Sequence, residues 1–143
     1  MNSRRVVVTG IGALTPIGNN LKEYWGSLKK GISGAGPITH FDPSNFKTKF
    51  ACEVKNFDPT SFIHRKEARK LDRFSQYALV VADEAYKNSG LKEEALNPER
   101  AGVIWGSGIG GMQTFFNECA DFGKGNGTPR FNPLFIPKLI SDI

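Results

Sequence analysis

The chain has 143 residues, enough for one domain with a buried core. Its 39% hydrophobic and 23% charged residues are those of an ordinary soluble globular protein. No apolar run is long enough to cross a membrane and the N-terminus lacks a signal peptide's apolar core, so a cytoplasmic location is expected. The net charge of +5 would suit nucleic acid, an anionic membrane or an acidic protein; without a zinc-finger, homeodomain or RNA-binding signature or a long basic tract, the location of the charge matters more than its sum.

The run Val6-Val7-Val8-Thr9 predicts a strand, feeding the glycine turn Gly10-Ile11-Gly12. A helix follows, with Leu21, Tyr24, Trp25 and Leu28 spaced i, i+3, i+4, i+7. Asn20 and Glu23 form an Asn-type capping box, and Gly31 stands where a C′ glycine would end the helix. One reading of this opening is a dinucleotide-binding Rossmann turn, and with it a nucleotide-binding oxidoreductase. Against it, Thr15 occupies the place of the third glycine, and Pro16 removes an amide where a phosphate-cradling helix presents one.

Residues 32–44 are rich in Gly, Pro and Ser and read as a loop. Phe50, Cys52 and Val54 alternate with Ala51, Glu53 and Lys55, which predicts a short half-exposed strand, and Asp58-Pro59 marks a turn. From about Arg65 to Asn88 the periodicity predicts one long helix, with Leu71, Ser75, Ala78, Ala82 and Ala85 on one face and Gly90 as its C′ residue. Residues 101–105 read as a short apolar strand feeding Gly106-Ser107-Gly108-Ile109-Gly110-Gly111, then a helix through Met112, Phe115, Phe116 and Cys119. Residues 123–129 read as a flexible loop, and Pro133 and Pro137 argue against a regular helix over 131–140. This alternation predicts an α/β fold without repeats or an internal boundary. The apolar stretch halts at 141–143 without a polar tail, as a cut through a longer chain would leave; a natural terminus docked on the core is the other reading.

Three features bear on chemistry. Cys52 and Cys119 lack C-x-x-C neighbours and metal-ligand spacing with His40 or His64, so reduced, packed thiols are expected. The glycine loop brings bare backbone close to something: a phosphate, though it lacks the Lys-Ser/Thr of a P-loop, a narrow apolar space below Ile109, or only a strand-to-helix turn. Lys66, Arg69, Lys70 and Arg73 fall at i, i+3, i+4, i+7, which on one helix makes a basic stripe, either a solvated face or a docking surface.

Four segments occur together and in order: the opening Arg4–Asn19 stretch, Leu71-Asp72-Arg73-Phe74-Ser75-Gln76-Tyr77-Ala78, Ile104-Trp105-Gly106-Ser107-Gly108-Ile109-Gly110-Gly111, and Pro133-Leu134-Phe135-Ile136-Pro137. In these the chain resembles the β-ketoacyl-acyl-carrier-protein synthases, thiolase-fold condensing enzymes of fatty acid synthesis, most closely the synthase II type. The resemblance implies the N-terminal portion of the first thiolase-like half, residues 1–143 covering about a third of the family's length, with a mixed sheet layered between helices. It implies an acyltransferase that condenses an acyl-enzyme thioester with malonyl-carrier and releases CO2, working as a homodimer with acyl carrier protein as partner and without metal or organic cofactor. It implies an acyl pocket at Gly108, Ile109 and Phe135, and carrier contacts at Lys66, Arg69, Lys70 and Arg130. Phe131 takes a place that is often basic. The family's cysteine lies in a Thr-Ala-Cys setting and its two histidines lie further on; Cys52, Cys119, His40 and His64 match neither, so no catalytic residue carries over and the chain by itself is expected to be inactive. A non-catalytic carrier-binding module is the remaining alternative.

Overall fold

The computed structural model describes residues 4–92, 94, 96–125 and 128–141. They form two compact units: Met1–Phe57 with Val81–Leu96, and Asp58–Val80 with Asn97–Ile143.

In the first unit, helix α1 spans Leu21–Lys29. Asn20 caps it by accepting from the Glu23 amide at 2.9 Å, while the Glu23 carboxylate reaches back past the N-cap to the Asn19 amide, one residue beyond the amide a true capping box uses. The helix ends as expected. Gly31 is left-handed at φ 64°, its amide donates to Leu28 O, and the Ile32 amide donates to Ser27 O, a Schellman closure. Of the predicted apolar face, Leu21 and Tyr24 are half-buried, while Trp25 and Leu28 remain exposed.

The first unit also takes the later part of helix α3 (Arg73–Ser89). Residues 10–13 lie against it. A Cβ on Gly10 would stand 2.1 Å from Ala85 O, and one on Gly12 2.2 Å from Val81 O. Glycine is therefore required here for close approach. Glu84, half-buried on α3, accepts from the Ala13 amide with one carboxylate oxygen and from the Leu21 amide with the other, both at 2.8 Å. One carboxylate thus fixes the turn and sits at the positive N-terminus of α1. Helix α3 ends at left-handed Gly90, as the sequence predicts.

The expected strand at 50–54 shrinks to β2 (Phe50–Ala51), antiparallel to β1 (Gly36–Pro37). Its expected inward face is also reversed at the start, with Phe50 and Cys52 exposed and Ala51 and Glu53 turned in. The cause is polar: Glu53 accepts from the Thr39 hydroxyl at 2.6 Å, the Thr39 amide at 3.0 Å and the His40 amide at 3.4 Å. These bonds, led by the Thr39 hydroxyl, hold the Glu53 carboxyl below its usual pKa. A depressed carboxylate stabilises the fold above its ordinary pKa, and that contribution is lost as pH falls through the depressed value. In an acid titration the Thr39 amide should therefore keep its native NMR shift past the ordinary glutamate range. Glu53→Gln should remove the step; an unchanged step in that variant would assign it elsewhere.

The second unit holds a 3-10 turn at Pro59–Ser61 capped by Asp58, helix α2 (Arg65–Ala68), residues 73–80 of α3, a second 3-10 turn at Pro98–Arg100, helix α4 (Met112–Lys124) and helix α5 (Phe135–Leu139). Helices α4 and α5 pack together through a row of rings: Phe115 on Phe135 at 6.2 Å, Phe135 on Phe131 at 5.6 Å, and Phe131 on Phe122 at 5.6 Å.

Three expectations about helices and loops are corrected in this unit. The helix expected from Arg65 to Asn88 is broken at 69–72, because Gln76 Nε2 donates to the Ala68 and Leu71 carbonyls and satisfies groups that a continuing helix would have used. Residues 131–140 do contain a helix: Pro137 falls in the first turn of α5, where a missing amide costs no intrahelical bond. Gly123 belongs to α4, so the predicted loop starts only at Gly125; its residues 126 and 127 lie outside the described residues.

Residues 4–9 and 101–105 carry no strand ladder, although both were expected as strands. Val6 is 92% exposed and Ile104 100%. Their side chains are apolar on consecutive positions, the pattern of strands covered on both faces, and no neighbouring strand among the described residues covers either. The mixed sheet is consequently absent among the described residues, where β1 and β2 form the only sheet. Ala68 and Val80 are the only buried hydrophobic residues described.

Candidate functional site

All seven residues expected at a site lie in the second unit. The broken helix changes the basic stripe. Lys66 is on α2, Arg69 is its C-cap, Lys70 follows in the turn, and Arg73 opens α3, where its guanidinium donates to the Tyr77 hydroxyl. A single helical face through all four does not exist. Lys66, Arg69 and Lys70 are nonetheless exposed within one short segment. Among the described residues only Lys70 of the three has an ion-pair partner, Glu67 at 2.9 Å, with both side chains more than half exposed. His64 caps α2 by accepting the Lys66 amide on Nδ1.

A shallow cleft beside this segment gathers Arg65, Arg69 and Lys138 over Ala68 and Leu71. Sequence spacing did not find Arg65 and Lys138. Arg65 lies outside the i, i+3, i+4 series, and Lys138 comes from α5, so only the fold brings them in. Arg130 is exposed and lines a separate hollow with Asp121 and Phe122.

The glycine loop divides in two. Nothing lies within 4 Å of a Cβ placed on Gly106 or Gly108, and Ile109 is 73% exposed. At Gly110 (φ 87°) and Gly111 the backbone presses on α5, with Leu139 O at 2.3 Å and Lys138 O at 2.1 Å from the added Cβ. The close approach that the glycines imply is thus to α5, and it occurs only at the loop's last two positions. Ser107 steadies the turn by accepting the Gly110 amide at 3.0 Å. Phe135 is half-buried in the ring row at the opposite end of α5. Phe135 thus opens α5, and the loop that carries Ile109 meets the helix at its other end, through Gly110 and Gly111.

The remaining site expectations are negative or corrected. Cys52 and Cys119 are free but exposed, not packed. In the opening turn the Ile11 and Ala13 amides donate to Asn88 and Glu84, and α3 fills the space beside Gly10 and Gly12. Backbone that a pyrophosphate would need is already engaged, which disfavours the Rossmann reading. Among the described residues no group of three or more His, Cys, Asp or Glu side chains is placed to hold a metal, and no helix is long and apolar enough to cross a membrane.

The backbone as a whole superimposes on solved ketosynthase structures. The ishigamide ketosynthase/chain length factor superimposes with a TM-score of 0.85 at 32% identity, covering 96% of this chain and 34% of that one. A type II PKS acyl-carrier protein in complex with its ketosynthase, bound to the hexaketide, gives a ketosynthase match with TM-score 0.73 at 27% identity, over 95% of this chain and 36% of that one. The fold is thus the N-terminal part of a thiolase-like condensing enzyme.

Residues 3–142 match the family described as beta-ketoacyl synthase, N-terminal domain, and the chain belongs to that family. Curated relatives include the 3-oxoacyl-acyl-carrier-protein synthase 2 of Synechocystis sp., 41% identical over 100% of this chain, and that of Staphylococcus aureus strain COL, 44% identical over 99%. That of Coxiella burnetii is 43% identical over 98%. The chain spans about a third, 34%, of the length of each of these relatives.

Proposed function

We propose that this chain is the N-terminal third of a fatty-acid-elongating β-ketoacyl-acyl-carrier-protein synthase of the synthase II type. The observation that carries the reading is the family match over residues 3–142, which takes in all four motif segments in order. In the intact protein a cysteine outside these residues accepts the acyl group from carrier or coenzyme A as a thioester. Loss of CO2 from malonyl-carrier then supplies the carbanion that attacks the thioester carbonyl. The carbon–carbon bond forms, the cysteine thiolate leaves, and 3-oxoacyl-carrier is released.

In this reading residues 1–143 are one portion of the first thiolase-like half, the enzyme is a cytoplasmic homodimer, and residues 133–137 face the partner's acyl tunnel. Lys66, Arg69, Lys70 and Arg130 receive the acidic face of acyl carrier protein. Gly108, Ile109 and Phe135 border the acyl chain.

The test is condensation by the full-length protein, given acyl-carrier primers of increasing length and malonyl-carrier, with CO2 and 3-oxoacyl-carrier as readouts. Absence of product from every primer would overturn the proposal. In the same assay Ile109→Phe should penalise long primers progressively, because each methylene kept out of an apolar tunnel forfeits about 0.8 kcal/mol. An equal loss for short and long primers would place Ile109 outside the tunnel.

A further inference from the structure

Asp72 is the one buried charged residue among those described, at 8% exposure, and it stands in the Leu71–Ala78 motif without a role in the chemistry above. Its Oδ2 accepts from both the hydroxyl and the amide of Thr114, the amide at 3.3 Å. Thr114 is the third residue of α4, the position whose amide an N-cap side chain ordinarily satisfies. The cap position itself is Gly111, which has no side chain to offer and cannot acquire one, since a Cβ there would meet Lys138 O at 2.1 Å.

We infer that Asp72 is the N-cap of α4 supplied from 42 residues upstream, a positioning residue that holds the end of the glycine loop, Gly110 and Gly111, against α5. The seat of that loop on α5 excludes Asp, Asn, Ser and Thr from position 111, so the helix start takes its acceptor from another element. Asp72 is available because the chain breaks between α2 and α3 at this point. The same residue therefore ends the basic segment and anchors the loop that carries Ile109. Its effect on chain-length selectivity rests on the synthase reading; its capping role does not.

The experiment uses the full-length protein with Asp72→Ala and Asp72→Asn, hydrogen exchange as the first readout and primer selectivity as the second. Asparagine keeps an acceptor oxygen and caps about as well as aspartate, so Asp72→Asn should preserve amide protection at 112–115. Asp72→Ala should speed exchange there by roughly 2- to 30-fold, with protection elsewhere in the second unit kept. It should also lower kcat/KM for long primers relative to short ones, and Asp72→Asn should restore the ratio. Unchanged exchange at 112–115 in Asp72→Ala, or equal acceleration throughout, overturns the capping inference. Local acceleration with unaltered primer selectivity overturns the positioning role. If Asp72→Ala does not fold, Thr114→Val, which keeps the amide but removes the hydroxyl donor, must show the same local acceleration in smaller measure, and protection equal to the parent's overturns the inference. A parent protein without condensing activity removes only the synthase reading, because the exchange comparison is independent of it.

Discussion

Reversing Lys66, Arg69 and Lys70 together to Glu is expected to weaken acyl carrier protein binding to the full-length protein at least ~10-fold at low salt. Each exposed ion pair contributes only about 0.2–1 kcal/mol, so any single neutralisation should cost a few-fold at most. The triple reversal differs in kind: three attractions become three repulsions, and Lys70→Glu also sets a second carboxylate beside Glu67, whose present partner is Lys70. Association rate should fall more than dissociation rises, because clustered charge acts mainly on encounter. Parent binding should weaken steeply with salt, and the variant's salt dependence should flatten or invert. The three side chains are exposed, so the fold should survive, which circular dichroism can check. Carrier binding as tight as the parent's at both low and moderate salt would leave the basic segment a solvated surface.

The second large effect belongs to Gly12. Gly12→Val places a Cβ about where Val81 O now lies, with 2.2 Å between them, and the backbone of α3 has no flexible end to move aside. Residues 10–13 must lift away, which pulls the Ala13 amide from Glu84 and loosens the same carboxylate's grip on the Leu21 amide. Overpacking costs about 1–3 kcal/mol, and each hydrogen bond to a charged acceptor about 1.5–3 kcal/mol. A loss of about 3 kcal/mol or more in denaturant unfolding is expected. Gly26→Ala is the control. It lies inside α1 with nothing within 4 Å of the new Cβ, and should stabilise by about 0.5–1 kcal/mol. A Gly12→Val protein as stable as the parent would show that the turn does not rest on α3.

What was legible in the sequence was local. The Asn20 cap, the left-handed Gly31 and Gly90, and the helix through Met112 and Phe115 depend on residues within one turn of one another, and they stand where spacing put them. The family segments were legible because their order, not any one of them, carries the information. The break in the basic helix was not, because it rests on a side chain that reaches back across it: Gln76 donates to the Ala68 and Leu71 carbonyls, and the break in turn frees Asp72 for Thr114. Periodicity sees a continuous helical pattern through 65–88 and has no term for a side chain captured elsewhere. The face of β2 failed for a similar reason, since the alternation of Phe50, Cys52 and Val54 carries less weight than the bonds Glu53 makes to Thr39. Arg69 of the cationic cleft was legible in spacing, but Lys138 comes from α5 and joins it only through the fold.

The two ladderless apolar segments bear on how the protein is made. Val6-Val7-Val8 has no strand beside it among the described residues, so until another element covers it the stretch stays unpaired. Bare, β-prone and uncharged, such a stretch is a template on which another copy can add a strand. Both segments carry charge at their leading edge, Arg4-Arg5 before the first and Glu99-Arg100 before the second. Charges in that position are the kind that discourage stacking in register before a strand is covered. Removing the charge at 4 and 5 should leave the finished protein almost untouched and lower the yield of soluble product, a phenotype of synthesis rather than of stability.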